Sequence, residues 1–175
     1  IKVVGVGGSG KNAVNHMINS KVKGVEFIAV NTDSQDLHHV LAKRKIHIGK
    51  NLTRGLGAGM NPELGRQAAE ENRSEIADAL SGSDLVFITA GMGGGTGTGG
   101  APIIAEVAKQ AGALTIAVVT KPFSFEGSQR SRIAQEGLLK LKDKVDALIV
   151  IPNDRIFSII NQDTSIIKAF EAIDM

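Results

Sequence analysis

Two dense glycine runs constrain this chain more than any other feature. Each follows an apolar, β-branched segment and precedes a helical apolar stripe. The first run is Gly5-Val6-Gly7-Gly8-Ser9-Gly10-Lys11-Asn12, preceded by Ile1-Lys2-Val3-Val4 and followed by Ala13, Val14, Met17 and Ile18 at helical spacing. The second is Gly91-Met92-Gly93-Gly94-Gly95-Thr96-Gly97-Thr98-Gly99-Gly100, directly after the apolar stretch 84–90. Ordering consecutive glycines costs backbone entropy. A run this dense between two patterned elements therefore points to close approach of the backbone to an anion, with the Thr96 and Thr98 hydroxyls as further donors.

The remaining pattern supplies the frame. Further strands are predicted at 25–30, which runs into Asn31-Thr32-Asp33, at 46–48 on a sheet edge, at 113–120 and at 145–151. Pro62 opens a long amphipathic helix carrying Leu64, Ala68, Ala69, Ile76 and Leu80, and Pro102 opens a second with Ile103, Ile104, Val107, Ala108 and Ala111. A third carries Ile133, Ala134, Gly137, Leu138 and Leu141. Strand–helix alternation of this kind predicts an α/β fold: a Rossmann-like, doubly wound, mostly parallel sheet with helices on both faces. A last apolar stripe, Ile166, Ile167, Phe170 and Ile173, stops after Met175 with no cap, and the chain begins on a strand without Met, so a piece of a longer protein is expected.

Composition narrows the function. With 20 Lys+Arg against 18 Asp+Glu, dispersed along 175 residues, no cation cluster suggests a nucleic-acid partner. This length suits about one domain. The absence of cysteine excludes a disulfide scaffold, a thiolate metal site and a cysteine nucleophile. No apolar run approaches the ~20 residues needed to span a bilayer, and no signal-peptide pattern opens the chain. A cytoplasmic protein without direct membrane insertion is the expectation.

The first run fits G-x-G-x-x-G between strand and helix and nearly fits a P-loop, with Asn12 where Ser or Thr would meet magnesium. Both motifs let the backbone reach phosphate and aim a helix N-terminus at it. No Walker-B aspartate ends a strand, and Asp33 only loosely meets the dehydrogenase requirement for an acid after the second strand. Both readings, and an unliganded turn, stay open on this run alone. The second run stands in the same setting, and no dehydrogenase requires it. Two such helix starts at the carboxyl ends of parallel strands can hold a triphosphate from both sides. Arg54-Gly55-Leu56-Gly57-Ala58-Gly59-Met60-Asn61-Pro62 is a third glycine-rich candidate, suited to sensing a terminal phosphate or serving as a surface connection.

Taken in order, GVGGSGKNAV (5–14), VNTDSQ (30–35), TRGLGAGMNPELG (53–65), GMGGGTGTG (91–99), VVTKPFSFEG (118–127) and IPND (151–154) resemble the FtsZ family, bacterial cell-division relatives of tubulin, over essentially the whole chain. The resemblance implies a GTP-binding domain over 1–175, truncated at the start of the central helix and lacking the C-terminal activation domain. It implies a GTPase that forms head-to-tail filaments with copies of itself, meets other cell-division proteins, binds GTP or GDP with Mg2+ and works in the cytoplasm at the mid-cell division ring. The implied nucleotide contacts are Gly7, Gly8, Ser9, Gly10 and Asn12; Ala58, Gly59 and Asn61 at the γ-phosphate; and Gly91, Gly93, Gly94, Gly95, Thr96, Gly97 and Thr98 along the phosphates. Pro122, Glu126 and Arg130 follow on the ribose and phosphate side, then Asn153, Phe170 stacking on guanine, and Asp174 accepting from guanine N–H groups. A carboxylate at Asp174 suits the edge that guanine has and adenine lacks.

No metal ligands and no catalytic residues are expected in this piece. The resemblance puts the hydrolytic aspartates on a later loop that completes a neighbouring subunit's site, so binding without appreciable hydrolysis is expected. Lys11 stands where the family has a small or uncharged residue, free to touch phosphate or to face solvent. The paired His38 and His39 are expected to cap or solvate a short helix. A nucleotide-dependent assembly module and an NAD-dependent oxidoreductase are the competing readings.

Overall fold

In the computed structural model, which describes residues 1–152, six strands form one sheet: β1 (Lys2–Val6), β2 (Glu26–Asn31), β3 (Arg44–His47), β4 (Leu85–Gly91), β5 (Leu114–Lys121) and β6 (Ala147–Pro152). Their spatial order is β3-β2-β1-β4-β5-β6, and every pairing is parallel. The helices are α1 (Gly7–Asn19), α2 (Ser34–His38), α3 (Lys50–Thr53), α4 (Pro62–Glu71), α5 (Arg73–Leu80), α6 (Gly95–Gln110) and α7 (Ser128–Lys142), with a 3-10 turn at Ser124–Glu126. This is the doubly wound α/β sheet that the alternating pattern predicts, with β3 at the edge.

Strand alternation sends successive side chains to opposite faces and so builds two cores. On one face Val3 and Phe87 pack with Ala13, Val14 and Met17 of α1 and Leu37 of α2. On the other, Val4, Val6 and Ile88 pack with Ala68, Ile76, Ile104 and Leu141 from α4, α5, α6 and α7. β4 lies between β1 and β5 and is buried along all but its last residue, which is why its sequence shows no polar alternation. Each fully buried Ile, Leu or Phe here stabilises the fold by about 1.5–3 kcal/mol.

Two helix boundaries differ from the expectation. The predicted long helix from Pro62 is two helices, because Asn72 breaks the helical backbone at φ −111°, ψ 24°. Its Oδ1 accepts a 2.9 Å hydrogen bond from the Gly49 N–H, and its amide donates to Glu75. A side chain engaged in this way competes with helix continuation. Pro102 does not open its helix either: α6 starts at Gly95, so the proline lies well inside and the glycine run forms the first turns. Those glycines are helical because the backbone of α4 packs on them. A Cβ on Gly99 would overlap the Pro62 carbonyl, and one on Gly65 would overlap the carbonyl of Gly95. The short α3 carries too little apolar periodicity to show in the sequence.

Candidate functional site

β1 connects outward to β2 on one side, while its other neighbour β4 leads toward β5 and β6. The carboxyl ends of β1 and β4 thus flank the point where the strand order reverses, the usual ligand crevice of such sheets. A cavity of about 390 Å³ opens there. Gly7, Gly8 and Ser9 enter it from α1, Gly91 from the end of β4, Gly94 to Gly97 from the start of α6, and Ala58 and Gly59 from the loop before α4. Pro122, Glu126 and Arg130 close the β5 side.

The helices that start around the cavity begin in two ways. α2 is capped by Asp33, whose carboxylate accepts from the Gln35 and Asp36 N–H groups, and α4 is capped by Asn61. Neither α1 nor α6 has a side-chain cap, and neither has an acidic residue in its first turn. α3 and α7 also start without a side-chain cap or a first-turn acid. Within α6 the Gly95 N–H donates to the Gly59 carbonyl at 2.7 Å, which ties the third glycine loop to the second. The positive ends of two helix dipoles therefore face one cavity with no carboxylate of their own first turns to neutralise them. Gly7 and Gly93 make the chain reversals that allow this, with φ of +72° and +112°.

The carboxylates that line the cavity are each engaged through at least one oxygen. Glu126 accepts from the Phe123 N–H at 2.6 Å, and its other oxygen lies 3.9 Å from the Arg130 guanidinium. Asp36 receives Lys11 at 3.1 Å. Lys11 thus neither lines the cavity nor faces open solvent: it holds a carboxylate that does line it. Asp33, the candidate ribose acid of a dehydrogenase, uses Oδ1 to cap α2.

Other residues singled out from the sequence stand back from the opening. Gly10 is buried on the face of α1 toward the sheet, where a Cβ would lie 2.7 Å from the Thr89 carbonyl oxygen, so this glycine lets α1 lie against the sheet. Asn12 is exposed and outside the cavity lining. The Thr98 hydroxyl accepts from the Gly93 N–H at 2.8 Å and shapes the loop from behind. Gly93 is backed by the Arg130 stem, with a Cβ there falling 2.8 Å from its Cγ. Asn61 and Thr98 instead border a second cavity of about 690 Å³ between α4, α6 and α7. Asn153, Phe170 and Asp174 lie outside the described residues. His38 and His39 end α2 exposed, as expected.

The glycine density thus has two causes. Gly65, Gly95 and Gly99 let α4 and α6 approach backbone to backbone, whereas Gly94 borders the cavity with the nearest atom to a would-be Cβ at 4.0 Å. Sequence reasoning missed Thr32, Asp36, Thr120 and Lys121, which all line the cavity. The available signal was the strand-end rule itself: the carboxyl ends of β2 and β5, with the residues just past β2, lie at the same crevice as those of β1 and β4. Thr32 is buried, and its hydroxyl shares a 2.7 Å hydrogen bond with that of Thr96.

Residues 1–161 match the family model described as Tubulin/FtsZ family, GTPase domain. The chain is 58% identical over 174 residues to the Cell division protein FtsZ of Pseudomonas putida, covering 99% of this chain and 44% of that protein. It spans less than half the length of the curated relatives it matches. Among solved structures it resembles an empty FtsZ dimer from M. jannaschii, with TM-score 0.86 and 52% identity over 90% of this chain and 46% of that one. A GTPgS-bound CetZ2 protofilament from Haloferax volcanii gives TM-score 0.80 and 27% identity over 87% of this chain and 49% of that one. With the sheet order, the glycine-lined crevice and a match over residues 1–161 in agreement, the chain belongs to the Tubulin/FtsZ family, GTPase domain.

Proposed function

We propose that the cavity holds the phosphates of GTP or GDP and that the chain is the guanine-nucleotide domain of a filament-forming cell-division GTPase. The observation that carries this reading is the pair of uncapped helix N-termini, α1 and α6, directed at one glycine-lined opening. Backbone N–H groups and dipole ends suit a polyphosphate. In this proposal Ala58 and Gly59, which line the cavity, meet the terminal phosphate, and Glu126 and Arg130 meet the ribose and phosphate side. Asn153, Phe170 and Asp174 complete the proposal at the base.

Hydrolysis is proposed to require groups from a second subunit. Each carboxylate lining the cavity is engaged: Asp33 in a helix cap, Asp36 with Lys11, Glu126 with Phe123 and Arg130. Each is thus already committed through at least one oxygen, whereas positioning an attacking water is the protein's main task in phosphoryl transfer. Leu56 at the cavity edge and Phe125 beside Glu126 are 83% and 81% exposed, an apolar rim suited to a neighbouring copy. The M. jannaschii relative was solved as a dimer and the CetZ2 relative as a protofilament. A head-to-tail filament in the cytoplasm at the division ring, with other division proteins as partners, belongs to the same proposal, and the cell-division name of the relatives supports it.

Magnesium belongs to this proposal as a companion of GTP. Among the described residues no three His, Asp or Glu side chains converge into a metal site. That donor set fits a cation carried on phosphate oxygens and water, with Asp33 the nearest suitable carboxylate through the oxygen its cap leaves over. The cation would neutralise phosphate charge.

A thermal-shift competition tests the reading, because a ligand of the native state raises the midpoint. GTP and GDP are expected to raise it at concentrations where ATP and NAD do not. A larger shift with NAD would restore the oxidoreductase reading and overturn this one.

A further inference from the structure

We propose that Lys11 is a positioning residue of the nucleotide site, acting through Asp36 to keep the β2 side of the cavity open to phosphate. The inference rests on the guanine-nucleotide reading above. The cavity lining holds three carboxylates, Asp33, Asp36 and Glu126, against two cations, Lys121 and Arg130. Taken alone, this lining repels a polyanion. Lys11 lies outside the lining, its side chain 20% exposed, with its ammonium 3.1 Å from Asp36 Oδ1. It supplies the missing positive charge from behind.

Asp36 needs that charge because of where it stands. Its Oδ2 overhangs the first turn of α1, where a Cβ placed on Gly8 would lie 3.4 Å from it. A bare carboxylate there would compete with phosphate for the same helix N-terminus. The pair also joins α1 to α2, so Lys11 fixes where the carboxylate points. Repulsion by an unpaired Asp36 grows with the charge of the ligand, and GTP would feel it more than GDP.

The test is titration calorimetry of the 175-residue chain with GTP and with GDP, magnesium present throughout, for the parent, Lys11→Met, Lys11→Arg and the double variant Lys11→Met/Asp36→Asn. Lys11→Met is expected to weaken GTP by about fivefold or more and GDP by less, while Lys11→Arg and the double variant stay within about twofold of the parent. Urea midpoints of all four proteins should coincide, because a partly exposed pair stabilises little. Parental affinity in Lys11→Met overturns the inference. So does a loss that persists undiminished in the double variant, which would place the ammonium directly on nucleotide, or a loss that merely follows a fall in the urea midpoint. A parent chain that binds neither nucleotide overturns the proposed function and this inference with it, so the two failures are told apart.

Discussion

The hydroxyls of Thr32 and Thr96 share a buried hydrogen bond of 2.7 Å, which ties the chain leaving β2 to the first turn of α6 across 64 residues of sequence. The Thr32 carbonyl also accepts from the Thr53 hydroxyl at 3.4 Å and meets His47 Nε2 at 3.1 Å. The walls of the crevice are thus joined by polar contacts behind the surface that a ligand would touch. Thr32→Val keeps the shape and leaves the Thr96 hydroxyl without this partner. The expected cost is about 1–2 kcal/mol in urea unfolding, with weaker nucleotide binding as the start of α6 loosens.

Glycines of the second run should separate by role. Gly94 has extended backbone, φ −88°, and open space around its Cβ position, so Gly94→Ala is expected to change stability by less than about 0.5 kcal/mol. Its methyl would nonetheless enter the cavity, and nucleotide affinity should fall. Gly65→Ala has the opposite profile. Its Cβ would overlap the Gly95 carbonyl where α4 meets α6, and a loss of about 3 kcal/mol or more is expected. Urea midpoints paired with nucleotide titrations check both; a stability loss in Gly94→Ala equal to that in Gly65→Ala would contradict the assignment.

That division explains what the sequence could and could not show. Strand–helix alternation disclosed the doubly wound sheet because β4 and β5 are apolar enough to be buried on both faces. The runs at Gly7 and Gly94 pointed to the crevice because glycine there has few other uses. Hidden from a linear reading were the contacts made at a distance: Asn72 reaching back to Gly49 and splitting a helix, α4 lying against Gly99, and Lys11 finding Asp36. None of these has a local signature. Each depends on which surfaces the parallel crossovers bring together.

Acid should weaken the fold through two carboxylates that anchor the far end of the second helical layer. The hydrogen bond from Arg73 holds Glu106 below the usual carboxylate range, opposed by partial burial and assisted by Lys144. The Thr115 backbone N–H, at 2.8 Å, does the same for Asp146, with Lys109 assisting. A carboxylate with a depressed folded pKa binds fewer protons than its unfolded counterpart. Its stabilisation is therefore complete above the ordinary range, about pH 4, and is lost as pH falls through the depressed value. Each side chain is about a third exposed, so each contribution is expected below about 1 kcal/mol. Urea midpoints measured from pH 7 to pH 3 should fall less steeply in Glu106→Gln/Asp146→Asn than in the parent, and an unchanged slope would refute the assignment.

Arg130 serves the crevice in two separable ways. Its stem backs Gly93, where φ is +112° and a Cβ would lie 2.8 Å from Arg130 Cγ, while its guanidinium lies 3.9 Å from Glu126 at the cavity wall. Arg130→Met keeps most of the stem and removes the charge. Stability should stay within about 0.5 kcal/mol of the parent. Nucleotide affinity should fall by about tenfold, or about 1.4 kcal/mol, and become less sensitive to salt. Arg130→Ala removes the stem as well, so the same loss of affinity should be joined by a lower urea midpoint as the Gly93 loop loses its backing. Affinity measured at two salt concentrations for both variants separates the contributions: a salt dependence in Arg130→Met equal to that of the parent would show that the guanidinium does not face the phosphates.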